Sequence, residues 1–289
     1  MSNSTLPTED NQIPVKIARV LSVVCVFFSA YFFFVYVKTC WHNKQISKLI
    51  HVSVVVTMCN AIAMSFVAIG PLIPFDSEYH NSAIVFSFAL PAATTSNLMT
   101  ASVSVVILDR ILIIYYPNGK YKTVLFKAAI LVFICLASFI VVHSTLFDMP
   151  PNDTTNCFLY SCVSKSHALV TTGIRWHLGL VNFILTAIFA ASFCRYKNKS
   201  NIKETHSRIL CSILVFVLSE TVFCLTPVAI VFFNAAAHSY KFHLVPFLTL
   251  AFCFEETLLL GTYVRAFCKM PKHRITSVTP YNKDTTVKL

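Results

Sequence analysis

Charged side chains set inside apolar runs are the residues in this chain able to do chemistry. Asp109 and Arg110 stand side by side at the end of one run, Glu255 and Glu256 lie within another, and Arg175 and Glu220 occupy two more. Placing a charge at the centre of a membrane helix costs about 2.5–3.5 kcal/mol on insertion scales, so such residues pair, line water or carry function. An adjacent acid and base can form a releasable salt link. Adjacent acids can take up a proton or a cation, and a guanidinium can recognise an anion. Patterns for hydrolytic, phosphoryl or metal chemistry are missing: there is no HExxH, GxSxG, Walker loop or CxxC pair with metal spacing. The ten histidines are scattered singly. The expectation is a protein that is not an enzyme, with no cofactor and no resident metal.

The elements that must hold these residues follow from composition. The chain has 289 residues, of which 56% are hydrophobic and 12% charged, and its mean hydropathy is +0.69. Soluble domains carry roughly a quarter charged residues, so this chain cannot coat a soluble globule of its size. A disordered chain, a disulfide-stapled mini-protein and an ordinary cytosolic enzyme are excluded. A membrane helix needs ~20 mostly apolar residues. Seven stretches qualify: 17–37, 49–73, 83–116, 124–146, 168–194, 209–234 and 243–267. They exceed strand length and are apolar on nearly all sides, which fits helices and not barrel strands. The first is too long for a signal-peptide core and has no cleavage pattern after it. The expected fold is an all-α membrane protein, a seven-transmembrane helix bundle. Residues 1–16 form an extracellular N-terminal segment, 17–267 the transmembrane domain and 268–289 a cytoplasmic tail.

Seventeen of the 23 Lys and Arg residues fall in the tail and in the loops after runs one, three and five. The positive-inside rule makes that side cytoplasmic, with the N-terminus outside and the C-terminus inside. Lys16 and Arg19 are a minor contrary signal. The net charge of +11 then records orientation in a lipid bilayer, and no nucleic-acid partner is expected. Asn3 and Asn152 head glycosylation sequences on the outer side. Cys157 and Cys162 share an outer loop, either as a short-range disulfide or as separate thiols. Most other cysteines read as small apolar residues.

Three short motifs add a resemblance. Asp109-Arg110-Ile111 with Pro117 ends the third run, Cys224-Leu225-Thr226-Pro227 lies in the sixth, and Leu259-Leu260-Gly261-Thr262-Tyr263 lies in the seventh. These resemble the Asp-Arg-Tyr, Cys-Trp-x-Pro and Asn-Pro-x-x-Tyr motifs of rhodopsin-like G-protein-coupled receptors. Ile111 replaces the Tyr, Leu225 the Trp, and the leading Asn-Pro is lost. The outer part of run three has no Cys for the family's usual disulfide, and run four lacks its Trp. A divergent Asp-Arg motif, a degraded seventh-run motif and a short basic tail look most like the nematode serpentine chemoreceptors, and among them class BC. The resemblance implies a chemosensory, olfactory-type receptor in the plasma membrane, for example of a sensory cilium. It implies a small-molecule ligand and a heterotrimeric G protein as partners. It assigns coupling and activation to Asp109, Arg110, Pro117, Pro227 and Tyr263.

A ligand pocket is expected on the outer half. Its polar candidates are Thr94, Thr95, Asn97, Arg175, Trp176, His177 and Asn234. Arg175 reads either as a cation for an anionic or strongly polar odorant or as a residue snorkelling to the outer interface. Glu255 and Glu256, with Asn60 at the same depth, read as a hydrated polar core able to hold a cation, or as neutral acids against a neighbouring helix. The competing class is a polytopic transporter or ligand-gated channel. Internal repeats and Gly-broken helices would favour it, but no repeat is visible and the chain has only five glycines.

Overall fold

The structure is a computed structural model of the chain, and it describes residues 12–43, 46–69, 80–116, 119, 121–150, 154–155, 163–164, 169–197, 226, 229 and 245–267. The long helices are α1 (Gln12–Cys40), α2 (Lys48–Ile69), α3 (Ser82–Tyr115), α4 (Lys122–His143), α5 (Leu169–Lys197) and α6 (Val245–Phe267). Among the described residues these six are long and apolar enough to cross a membrane. The expected sixth run, 209–234, lies outside the described residues except for Thr226 and Ala229. The helix α6 therefore corresponds to the seventh run. Pro117, Pro227, Asn234, Glu220, Cys157, Cys162, Asn3 and Asn152 also lie outside the described residues.

Local chemistry explains the boundaries. Asn81 caps α3, its side-chain oxygen accepting from the Ala83 amide at 2.9 Å, which satisfies a donor the helix leaves open. Pro91 sits inside α3. Hydroxyls nearby donate to carbonyls of that stretch, Thr94 to Leu90 and Thr95 to Pro91, as hydroxyls do where membrane helices carry proline. The tight link from α3 to α4 uses Gly119 at φ +66°, a left-handed conformation that favours glycine. At its far end α4 widens into a π-helical turn, Ser144–Asp148. Asp148, two residues past the expected end of the fourth run, is buried there. A two-residue antiparallel pairing, His80–Asn81 with Thr154–Thr155, is the strand structure among the described residues.

The helices pack around α3, which touches α2, α4 and α5, while α6 packs against α1 and α2. Outward faces are apolar: Phe27 is 72% exposed and Val124 69%. An apolar periphery around a partly polar interior fits a bilayer as solvent, so the chain is a multi-pass membrane protein. One buried cluster joins Tyr36, Ile50, Val54, Met99, Ile107 and Tyr263. A second gathers Cys25, Met64, Val67, Ala92 and Cys253. Gly261 lets α6 lie close against α1, since a Cβ there would meet the Phe32 ring at 3.3 Å. Cys25, Cys59, Cys135, Cys194 and Cys253 are free. Cys40 departs from its reading as a small apolar residue, because it is disulfide-bonded.

Candidate functional site

The ionisable residues singled out in the sequence occupy two levels of the bundle. At the first level Arg175 of α5 and Glu255 of α6 form an ion pair at 3.0 Å, both buried. The Phe252 ring covers the guanidinium at 4.1 Å from its centroid, a distance that supports a cation–π contact. Arg175 therefore does not snorkel to an interface. An interior carboxylate, two chain segments away, gives its charge a partner that the sequence alone did not indicate.

Glu256 faces the opposite way. Its Oε1 accepts from Asn60 Nδ2 of α2 at 2.6 Å, and Asn60 Oδ1 lies 2.8 Å from the Thr95 hydroxyl of α3. That hydroxyl is also 2.8 Å from Pro91 O and 3.3 Å from Ala92 O, and has one proton to give to the three acceptors. Glu256 Oε2 is buried and makes no hydrogen bond. At this level two carboxylates thus share the interior with one guanidinium among the described residues, and the uncovered Glu256 oxygen is where a proton or small cation would be felt. No group of three His, Cys, Asp or Glu side chains suited to a metal occurs among the described residues.

Two turns toward the basic helix ends the same three helices meet again. Ser53 of α2 lies 2.8 Å from the Ser102 hydroxyl of α3 and 2.7 Å from the Tyr263 hydroxyl of α6. Each member is seven residues from its counterpart above: Asn60 to Ser53, Thr95 to Ser102, Glu256 to Tyr263. Seven residues are nearly two helical turns, about 10 Å, so both polar triads point to the same seam.

Seven residues beyond Ser102 comes Asp109, fully buried, with its Oδ2 3.8 Å from Arg110 Nη2. Neighbours in a helix do not face each other, which accounts for the length of this contact. The Ser47 side chain and the Lys122 charge act on the Asp109 carboxylate beside Arg110. Arg110 is 21% exposed and rests on the Phe267 ring of α6 at 5.7 Å. From the α3–α4 link the Tyr121 hydroxyl donates to the Asp109 carbonyl at 3.3 Å. Burial, and secondarily the Asp109 charge, push the Tyr121 phenol up to about 12.

The expected pocket residues do not all converge. Thr94 bonds within α3 to Leu90. Asn97 donates to Ala93 of its own helix at 2.9 Å, while its buried Oδ1 has no hydrogen-bond partner. Thr95 joins the Asn60–Glu256 group. Trp176 and His177 stack edge-on with ring centroids 5.4 Å apart, and His177 is exposed and bonds its own helix at Gly173. Sequence reading missed Asn182 of α5, which donates to the Thr100 carbonyl at 3.0 Å and accepts from Ser104. The available signal was an amide side chain inside an apolar run, since such groups bridge helices in membranes.

No protein-family model matches the chain, and no curated protein matches it either. Fold and site by themselves define the class: a multi-pass membrane protein, helical over nearly all its described residues, with a charged and hydrogen-bonded interior seam.

Proposed function

We propose that the chain is a seven-helix, chemosensory-type G-protein-coupled receptor of the plasma membrane, with run 209–234 as its remaining span, its N-terminus outside and its tail in the cytoplasm. The observation that carries this reading is Arg110. It stands at the basic end of the central helix α3, with a loose 3.8 Å contact to Asp109 and with Phe267 of α6 against it. An arginine so held is releasable: separation of α6 from α3 removes its aromatic support and turns the cation toward an acidic partner surface. At the other level, Arg175–Glu255 ties α5 to α6. A small extracellular ligand competing for either partner changes the spacing of those helices and favours the open state by its differential affinity for it. The polar seam between the two levels joins the ligand half to the G-protein half.

The test is a ligand screen in cells reporting G-protein activation, with patch clamp in parallel. Arg110→Ala is expected to abolish agonist-driven G-protein signalling while surface expression persists. Unchanged signalling in that variant overturns the assignment of Arg110. Ligand-gated current through purified protein without any G protein places the chain among the channels instead.

A further inference from the structure

A groove on the outside of the bundle, about 400 Å³ in volume, opens where the α1–α2 link, α2 and α4 meet at their basic ends. Val55, Val56 and Phe126 form an apolar trough, and Trp41, Lys48 and His51 form its rim. Volumes of roughly 300–1,000 Å³ are usual for small-molecule sites. The rim is built. The His51 ring lies 5.2 Å from that of Trp41, and His51 Nδ1 is 2.9 Å from the hydroxyl of Tyr36, a fully buried residue. One wall is therefore tied to the bundle interior. Lys48 is the first residue of α2 and is exposed. Its ammonium lies 6.0 Å from the Phe126 ring and makes no ion pair among the described residues. Exposed Lys38, Lys122 and Lys127 stand at the same end of the bundle.

We infer that this groove binds one acidic glycerophospholipid, with its anionic headgroup on Lys48 beside Trp41 and an acyl chain along Val55, Val56 and Phe126. The shape is amphiphilic in the same sense as the lipid. A cation and an indole stand at one end, as interfacial anchors do, and the trough below is lined by apolar Val52, Val55, Val56 and Phe126. A zwitterionic lipid fills the trough equally well but brings no net negative charge to Lys48. Lys48 is the lysine that lines the groove itself, and its attraction to an anionic lipid amounts to about fivefold in occupancy. The wall residue His51 also touches Tyr36, which packs with Ile107, Ile111 and Tyr263 near the Arg110 level. The bound lipid thus steadies the end of the bundle assigned to coupling. The inference rests on the membrane-spanning reading and is independent of which end faces the cytoplasm.

The chain has two tryptophans, so Trp176→Phe leaves Trp41 as the sole indole reporter. The full-length Trp176→Phe protein is reconstituted into phosphatidylcholine vesicles carrying a fixed fraction of bromolipid, either bromo-phosphatidylglycerol or bromo-phosphatidylcholine. Stronger quenching of Trp41 by the acidic bromolipid, about fivefold in apparent affinity, is expected. Lys48→Gln should remove the preference and Lys48→Arg should retain it. Val55→Trp, read without fluorescence by native mass spectrometry of retained lipid, should displace both lipids. Excess inorganic phosphate should not compete, because a free anion lacks the chain. Equal quenching by the two bromolipids, or a preference that survives Lys48→Gln, overturns the proposal, as does competition by phosphate. Protein that does not float with the vesicles refutes the membrane reading itself, whereas protein that floats and shows no preference refutes only the lipid site.

Discussion

Arg175 and Glu255, 80 residues apart in the chain, meet inside the bundle with 3.0 Å between guanidinium nitrogen and carboxylate oxygen. Both are buried, so neither charge has bulk water to fall back on. Removing one member of a buried pair strands the other and costs about 3–5 kcal/mol, whereas replacing both by uncharged groups of similar volume is often neutral. Arg175→Met and Glu255→Gln are each expected to lower the Tm of the purified protein strongly. The double variant should regain most of the loss. Additive losses in the double variant would show that the two charges are satisfied independently.

The Asn60–Glu256 contact differs, because one partner is neutral and the acid has a second, uncovered oxygen. Asn60→Ala removes the amide donor and leaves a buried carboxyl group with neither oxygen hydrogen-bonded by α2. The expected cost is about 1–3 kcal/mol, the usual penalty for an unsatisfied buried polar group. Pairing it with Glu256→Gln in a double-mutant cycle measures the coupling. A coupling energy near zero would remove this contact from the account of the seam.

Gly261 faces Phe32 at a distance a methyl group can nearly tolerate. Alanine also gains helix propensity of roughly 0.5–1 kcal/mol over glycine, so Gly261→Ala should be close to neutral. Gly261→Val should destabilise by about 1–3 kcal/mol through overpacking, and Phe32→Ala should recover part of that. Thermal unfolding in detergent distinguishes the three. A well-tolerated valine would mean that α1 and α6 separate easily here.

Tyr121 keeps its phenolic proton over the working pH range. Its pKa is raised to about 12 against an ordinary value of 10.0, so the neutral phenol is favoured by folding. That contribution is complete below pH ~10 and is lost as pH rises toward 12. Tyr121→Phe removes the hydrogen bond to the Asp109 carbonyl, and its effect on stability should be the same at every pH from 6 to 9. An effect that varied across that window would assign the titration to another group.

The sequence made the spans and the chemical inventory readable, because both are one-dimensional. A run of ~20 apolar residues has few stable forms in hydrocarbon other than a helix, and a charge inside it is conspicuous. The common depth of Asn60 and Glu256 was likewise accessible, because helical rise converts position along a span into height. Rotation about each helix axis was not accessible. Adjacent Glu255 and Glu256 look alike in sequence, yet one turns to Arg175 on α5 and the other to Asn60 on α2. Asn97 and Thr95 read as equal pocket candidates, and one bonds its own helix while the other joins the seam. The sequence by itself determined that this is a membrane protein of apolar helices carrying a few interior charges. Only the tertiary structure decided which charges pair, because in apolar runs nearly every face is hydrophobic. No periodic pattern then marks the buried side, and the facing polar groups of neighbouring helices select it.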